Sequence, residues 1–183
     1  MCIRDSLIQQ VLVDSLIKRR SIRKFLDKSV ERELVLKILD IARWAPSAKN
    51  AQPWSFVIVF DRETLSRLAS LSPSTEPLRN APVAVAVIGD PIKAPLTYMI
   101  DCAVVTTYIL LAAYAYGLGS VWINALRYQS AVKEILEVPE QLVPISIVAL
   151  GWPAETPIPP PRRELLELIY WEKYGRRKYT QKD

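Results

Sequence analysis

The sequence predicts one layered domain in which helices interleave with the strands of a buried sheet. Three observations predict it. At 183 residues, 50 % hydrophobic and 23 % charged, the chain has ordinary globular composition and is long enough to bury a real core. APVAVAVIGD, 81–90, has a continuous apolar centre of strand type, which implies a sheet covered on both faces. Apolar residues at helical spacing recur before and after it.

The elements follow in chain order. Leu7, Ile8, Val11, Leu12 and Leu16 repeat at helical spacing, giving a helix over about 7–19 that delivers a basic cluster to its C-terminal end, where cations suit the helix dipole. Residues 1–6 join no pattern. Ser29 reads as the N-cap of a second helix, with Glu31 and Glu33 in the first turn and Leu34, Val35, Ile38, Leu39 and Ala42 as the apolar stripe. Pro46 stops it. WSFVIVF, 54–60, is a β-branched and aromatic strand, followed by a short helix over 64–71. After the 81–90 strand comes a long apolar helix, about 96–116, closed by GLG. SVWIN, 120–124, is a short strand or turn, 128–137 a small helix, and VPISIVALG, 143–151, a third buried strand. From Trp152 the character changes: GWPAETPIPPPRR holds five prolines and runs extended before a last amphipathic piece, 164–174. One domain over 1–183 results, with a core of about 7–151 and an arm over 152–183. An extended arm on a small domain embraces a partner, which for identical subunits is a second copy.

Composition removes whole classes of chemistry. There is no histidine, which excludes triads with an imidazole base, His-ligated zinc and imidazole proton shuttles. Cys2 and Cys102 make neither a disulfide framework nor a Cys-rich metal site, so no metal is expected and a reducing, cytoplasmic setting suits the chain. Asp14 and Lys18 follow the modest apolar stretch 7–13 too soon for a cleavable signal pattern. The apolar run 102–118 contains Thr106 and Thr107, follows Asp101, and falls short of the roughly 20 apolar residues of a spanning helix. A helix apolar all round is what a central core or a subunit interface requires. An enzyme so composed borrows its reactivity from a bound organic cofactor.

The formal charge of +5 is compatible with nucleic acid, a membrane surface or an anionic small ligand. Its distribution is more informative. Lys18, Arg19, Arg20, Arg23 and Lys24 form one cluster, and Arg162, Arg163, Lys173, Arg176, Arg177 and Lys178 load the far end. A cluster at a helix end is ordinarily a solvated face. Here Ser21 adds a hydroxyl, Arg19, Arg20 and Arg23 converge if the chain turns, and Arg162 and Arg163 supply a second cationic pair. Guanidinium forks with a hydroxyl are phosphate chemistry. In APSAKNAQPW, 45–54, Pro46, Asn50 and Pro53 are explained by a helix stop and a loop. Asn50 and Gln52, two apart, face one side of an extended segment and can donate to and accept from a polyhydroxylated or heterocyclic ligand. GLGSVWIN, 117–124, has neither GxGxxG nor GxxxxGK[ST] spacing, so a Rossmann or P-loop reading lacks support.

Taken together and in this order, the motifs resemble the FMN-dependent nitroreductase family over nearly the whole chain. The residues that carry the resemblance are Arg-Arg-Ser-x-Arg at 19–23, Ala-Pro-Ser-x-x-Asn-x-Gln-Pro-Trp at 45–54, the helix led by Asp101 and ending in Gly-Leu-Gly with a following Val-Trp-Ile, the Gly-x-Pro-Ala-Glu turn at 151–155, and the Pro-rich basic tail. The resemblance implies an α+β, three-layer α/β/α nitroreductase-like fold with a central mixed sheet flanked by helices and a C-terminal arm crossing to the partner subunit. It further implies a homodimer with FMN at the subunit interface. By matching positions, Arg19, Arg20, Ser21 and Arg23 correspond to phosphate and ribityl contacts, joined by Arg162 or Arg163. Pro46, Ser47, Asn50 and Gln52 match the segment that reaches the same FMN from the other subunit. Trp122, Ile123 and Asn124 match the stretch whose backbone passes the isoalloxazine, with an amide N–H near position 124 bonding N5.

The implied activity is ping-pong. NADH or NADPH gives hydride to flavin N5 and leaves, and a nitroaromatic, quinone-like or other small conjugated acceptor is then reduced, with no catalytic side chain. The alternative is another flavin reaction on the same fold: a dehydrogenase, a reductive dehalogenase or a flavin-consuming enzyme. Neither nucleic acid nor a membrane is the expected partner. The chain departs from the family pattern at Thr107 and Tyr108, where relatives often carry Gln-Asn, at Asn124 and Ala125, where some carry Glu-Gly, and in the short 90–100 segment over the substrate side.

Overall fold

In the computed structural model, which describes residues 13–177, the most apolar strands take the middle of the sheet. The four strands are β1 (Trp54–Val59), β2 (Val83–Gly89), β3 (Gly119–Asn124) and β4 (Val143–Gly151), in the order β1-β2-β4-β3. Every residue of β2 is buried, whereas β1, at one edge, is mostly half-exposed. All three pairings are antiparallel, so the expected mixed sheet is antiparallel in its four strands. A parallel pairing enters through one isolated bridge, Ser21 with Ser120.

Side-chain alternation along β2 decides what each face carries. Val83, Val85 and Val87 join Val35 and Ile38 of α1 (Arg32–Ala42) and Val105 and Ile109 of a long helix that follows β2. Ala84, Ala86 and Ile88 face the other way, where the small side chains of Ala84 and Ala86 leave room for Leu65 and Leu68 of α2 (Arg62–Ala69) in the same cluster. The long helix is α3 (Tyr98–Ala115), and α4 (Gln129–Leu136) shares the α2 face through Val132. Helix, sheet and helix therefore make the three expected layers. Burying each large aliphatic side chain is worth roughly 1.5–3 kcal/mol, so the two faces supply the cohesion.

The helix ends differ in detail from the expectation. Glu31, not Ser29, occupies the N-cap of α1, and no side chain caps it. Ser29 lies too early and instead offers its carbonyl to Trp152 Nε1 at 3.1 Å. Helix α2 starts two residues before its expected position because the Asp61 carboxylate accepts from both Thr64 N and Thr64 Oγ1 at 2.7 Å. A 3-10 helix over Pro73–Arg79, held by a capping box between Ser72 and Thr75, was not legible as an element. The expected amphipathic piece over 164–174 shrinks to α5 (Leu165–Leu168), whose four residues are all exposed. Residues 13–18 are helical, while Cys2, Lys178 and the 7–12 start of the first expected helix lie outside the described residues.

Helix α3 is the one element among the described residues long and apolar enough to cross a membrane by length and composition. Here one of its faces packs on the sheet through Cys102, Val105, Thr106 and Ile109. Its other face carries Ile100, Ala103, Thr107, Leu111 and Tyr114 at helical spacing, none of them fully covered.

Candidate functional site

The segment 19–25 leaves the first helix and runs beside β3. Ser21 bridges Ser120, and Ile22 N donates to the Ser120 carbonyl at 2.9 Å. Ile22 and Phe25 are buried, which turns Arg23 and Lys24 outward. The opposite side of the segment is strapped by the start of the C-terminal arm: Leu26 N donates to the Trp152 carbonyl at 2.9 Å and Ala154 N to the Lys24 carbonyl at 3.0 Å. Glu155 Oε1 accepts the backbone N–H groups of Arg23 at 2.6 Å and Lys24 at 3.1 Å. Glu155 Oε1 is thus occupied by backbone N–H groups and not by a guanidinium.

This docking depends on a bare Cα at Gly119. A Cβ there would meet Ile22 Cβ and Cγ2 at 2.8 Å. Gly119→Ala is expected to cost about 1–3 kcal/mol through overpacking, displacing the basic segment from the sheet. Thermal unfolding checks it: a variant as stable as the wild type contradicts this account.

Arg19, Arg20, Ile22, Gly119, Ser120 and Glu155 are among the residues lining a cleft of about 390 Å³. Arg20 Nη1 donates to the carbonyls of Ile17 and Arg19, both at 2.6 Å, while its Nε is buried with no hydrogen-bond partner. Burial, then the guanidinium groups of Arg20 and Arg162, push Arg19 below its ordinary arginine value. The arm therefore brings Arg162 towards Arg19, from the far end of the chain. Arg163 is directed elsewhere, with its Nε 3.4 Å from Glu167 Oε2. Among the described residues no carboxylate pairs with Arg19 or Arg20. A cationic cleft with an unsatisfied buried N–H, whose Arg19 also feels the charge of Arg162, is a site that an anion would relieve.

A second cleft, of about 630 Å³, lies along the end of β3 and is lined by Arg23, Lys24, Ser74, Asn80, Trp122 and Asn124, among others. Val121 and Ile123 also reach it. The Asn124 Oδ1 is spent locally, accepting from Leu126 N at 3.0 Å as the cap of a 3-10 helix, Ala125–Tyr128. The Nδ2 amide and the backbone of this position stay available to a ligand. Lys24, Ser74, Asn80 and Arg127 line the cleft and were not anticipated. Lys24 stood in the basic cluster, but Ser74 and Asn80 arrive on the unforeseen 3-10 helix and left no signal.

The 46–53 loop is not extended. Ala48–Asn50 form a 3-10 turn, and Lys49, Asn50 and Gln52 have φ of 52°, 55° and 45°. Ser47 Oγ accepts from Gln52 N at 3.0 Å, which closes the turn. Asn50 and Gln52 do come together, through Gln52 Nε2 donating to Asn50 Oδ1 at 3.0 Å, but by curvature instead of by strand alternation. The loop feeds β1, at the edge of the sheet opposite β3. Three strand spacings, about 14 Å, separate those edges. One chain therefore brings Arg19, Arg20, Ser21, Arg23, Trp122, Ile123, Asn124 and Arg162 to one side, and leaves Pro46, Ser47, Asn50 and Gln52 on the other.

Trp54 and Tyr98 pack against the core. Burial, then the neighbouring Asp101, push the Cys102 thiol up to about 12, which makes it a poor nucleophile.

Comparison with known proteins places this geometry in a family. The nitroreductase family model matches residues 16–75 and 73–152. A provisionally named NADH dehydrogenase/NAD(P)H nitroreductase of Methanothermobacter thermautotrophicus is 38 % identical over 151 residues, covering 80 % of this chain and 79 % of the relative. The solved structure of a similarly named protein from Bacteroides thetaiotaomicron superimposes with a TM-score of 0.84 at 32 % identity, covering 90 % of this chain and 98 % of that one. An FMN-dependent nitroreductase from Clostridium difficile superimposes with a TM-score of 0.80 at 31 % identity, covering 88 % and 99 %. The motifs, the layered fold and these matches agree over the same residues, and the chain belongs to the nitroreductase family.

Proposed function

We propose that this protein is an FMN-dependent oxidoreductase that takes hydride from NADH or NADPH and reduces nitroaromatic, quinone-like or other small conjugated acceptors. The observation that carries the reading is a cleft lined by Lys18, Arg19 and Arg20, in which the Arg20 Nε is buried without a partner and to which the charge of Arg162 extends at Arg19. Such a site suits a phosphate dianion, and charge-assisted hydrogen bonds are worth roughly 1.5–3 kcal/mol each. It is supported by the family and by the description of one similar structure as an FMN-dependent nitroreductase.

On this reading Arg19, Arg20, Ser21 and Arg162 hold the phosphate, with Arg163 left on Glu167. Arg23 and the backbone of Trp122, Ile123 and Asn124 line the space for the ring system. Bound FMN would supply the hydride-accepting N5 and the electron relay that a chain without histidine lacks. Donor and acceptor would use the same cleft in turn, which is ping-pong order. Pro46, Ser47, Asn50 and Gln52 would reach the flavin of a second copy, because within their own chain they stand at the opposite edge of the sheet. The functional unit is then a homodimer of single-domain chains whose C-terminal arms cross to the partner, working in the cytoplasm.

The purified protein is expected to be yellow and to bleach when NADH or NADPH is added anaerobically, with the colour restored by a quinone. A colourless protein that does not take up added FMN overturns the reading. Bleaching without turnover of any quinone or nitroaromatic favours a different flavin reaction on the same fold.

A further inference from the structure

The geometry points to Asp101 as the positioning residue that holds the 47–52 loop in its flavin-facing shape. The inference rests on the flavin reading above and adds to it the origin of that loop's conformation. Asp101 sits in the first turn of α3, and its residue is only 5 % exposed. Its two carboxylate oxygens serve different elements: Oδ1 accepts from Ala48 N at 3.2 Å, and Oδ2 accepts from Thr97 Oγ1 at 2.9 Å. No cation pairs with it among the described residues. Its place in the first turn of α3 puts the carboxylate at the positive end of the helix dipole, where a negative charge is favoured.

The loop needs such a clamp. Three of its four residues 49–52 are non-glycine residues in the left-handed region, a conformation that persists only where surrounding contacts over-determine it. Ser47 Oγ closes the turn from within, and the Asp90 N–H fixes its exit by donating to the Pro53 carbonyl at 2.9 Å. The contact between Asp101 and Ala48 is the side-chain bond that ties the turn to the body of the fold. Both Asp101 oxygens are taken up by Ala48 and Thr97, so its role is a positioning one. It acts through Ala48, and so through the place where Asn50 and Gln52 are held.

What the loop requires is an acceptor at Oδ1, not a charge. Asp101→Asn can turn its carbonyl oxygen to Ala48 N and donate its NH₂ to the Thr97 hydroxyl, which is able to accept. Asp101→Leu can do neither. Ala48→Pro removes the donor from the other side at small backbone cost, because Pro is accepted at the first position of a helical turn and Ser47, at φ −141° and ψ 155°, already has the extended conformation a pre-proline residue prefers.

The test measures two quantities on the intact protein: hydrogen exchange of the 47–52 backbone amides without flavin, and FMN affinity by fluorescence quenching. Asp101→Leu and Ala48→Pro are expected to speed exchange of the remaining loop amides and weaken FMN at least tenfold, while Asp101→Asn stays within about threefold of wild type in both. Equal exchange and equal affinity in all four proteins overturn the proposal, as does an Asp101→Asn variant as impaired as Asp101→Leu. If Asp101→Leu does not fold, Ala48→Pro against Asp101→Asn makes the same comparison. A wild type that binds no FMN overturns the flavin reading, and amide exchange then decides the clamp separately.

Discussion

Replacing Arg20 with alanine is expected to weaken FMN binding by about 10- to 100-fold, the equivalent of one charge-assisted contact and the orphaned N–H beneath it. The residue lines the cationic cleft beside Arg19, and its Nε is buried with no partner. Arg20→Lys keeps the charge and loses the fork, so it is expected to recover only part of the affinity. The arm provides a sharper comparison. Arg162→Ala is expected to approach the Arg20→Ala loss, because Arg162 lies near enough to Arg19 to depress its pKa, whereas Arg163→Ala is expected to change affinity little, since that guanidinium lies on Glu167. Flavin fluorescence titration at two salt concentrations checks all four variants. A larger loss at Arg163 than at Arg162 refutes the assignment of the arm.

The second large effect is expected at the outer face of α3. Ile100→Glu combined with Leu111→Glu is expected to give a folded monomer with FMN affinity reduced more than tenfold and NADH turnover abolished. Ile100 is 64 % exposed in the isolated chain, so a charge there costs the monomer little. On the homodimer reading, an interface of the 1,200–2,000 Å² or so of a stable dimer built on this face could not accommodate the introduced carboxylates. Catalysis would then fall with the dimer, because the 47–52 loop would have no second copy to reach. Light scattering for mass, circular dichroism for folding and visible absorbance for bound flavin separate the contributions. A yellow, active monomer refutes the shared site.

Much of the fold was legible because the core strands carry their burial in the sequence. Continuous apolar stretches at 81–90 and 143–151 became the two central strands, and the stripe from Leu34 to Ala42 became the buried face of α1. Ends were less legible. Ser29 and Asp61 are both good caps by residue type, and which one is used depends on where the preceding strand or strap releases the chain. The Pro73–Arg79 helix was missed because Pro73 and Pro77 argue against a helix in isolation, although one at the first position and a tight 3-10 turn accommodate both.

The candidate site divides along the same line. Residue types and their order, namely Arg-Arg-Ser-x-Arg, Asn-x-Gln-Pro-Trp and the Gly-x-Pro-Ala-Glu turn, were enough by themselves to point to the family. Only the tertiary structure decided that Arg162 and not Arg163 turns to Arg19, that Glu155 is spent on two backbone amides, and that the 46–53 loop curls and stands at the far edge of the sheet. Local chemistry is written in side chains that act wherever they are. Which of them meet depends on strand order and on a strap between residues 24–26 and 152–154, pairings more than 120 positions apart that no short-range pattern encodes.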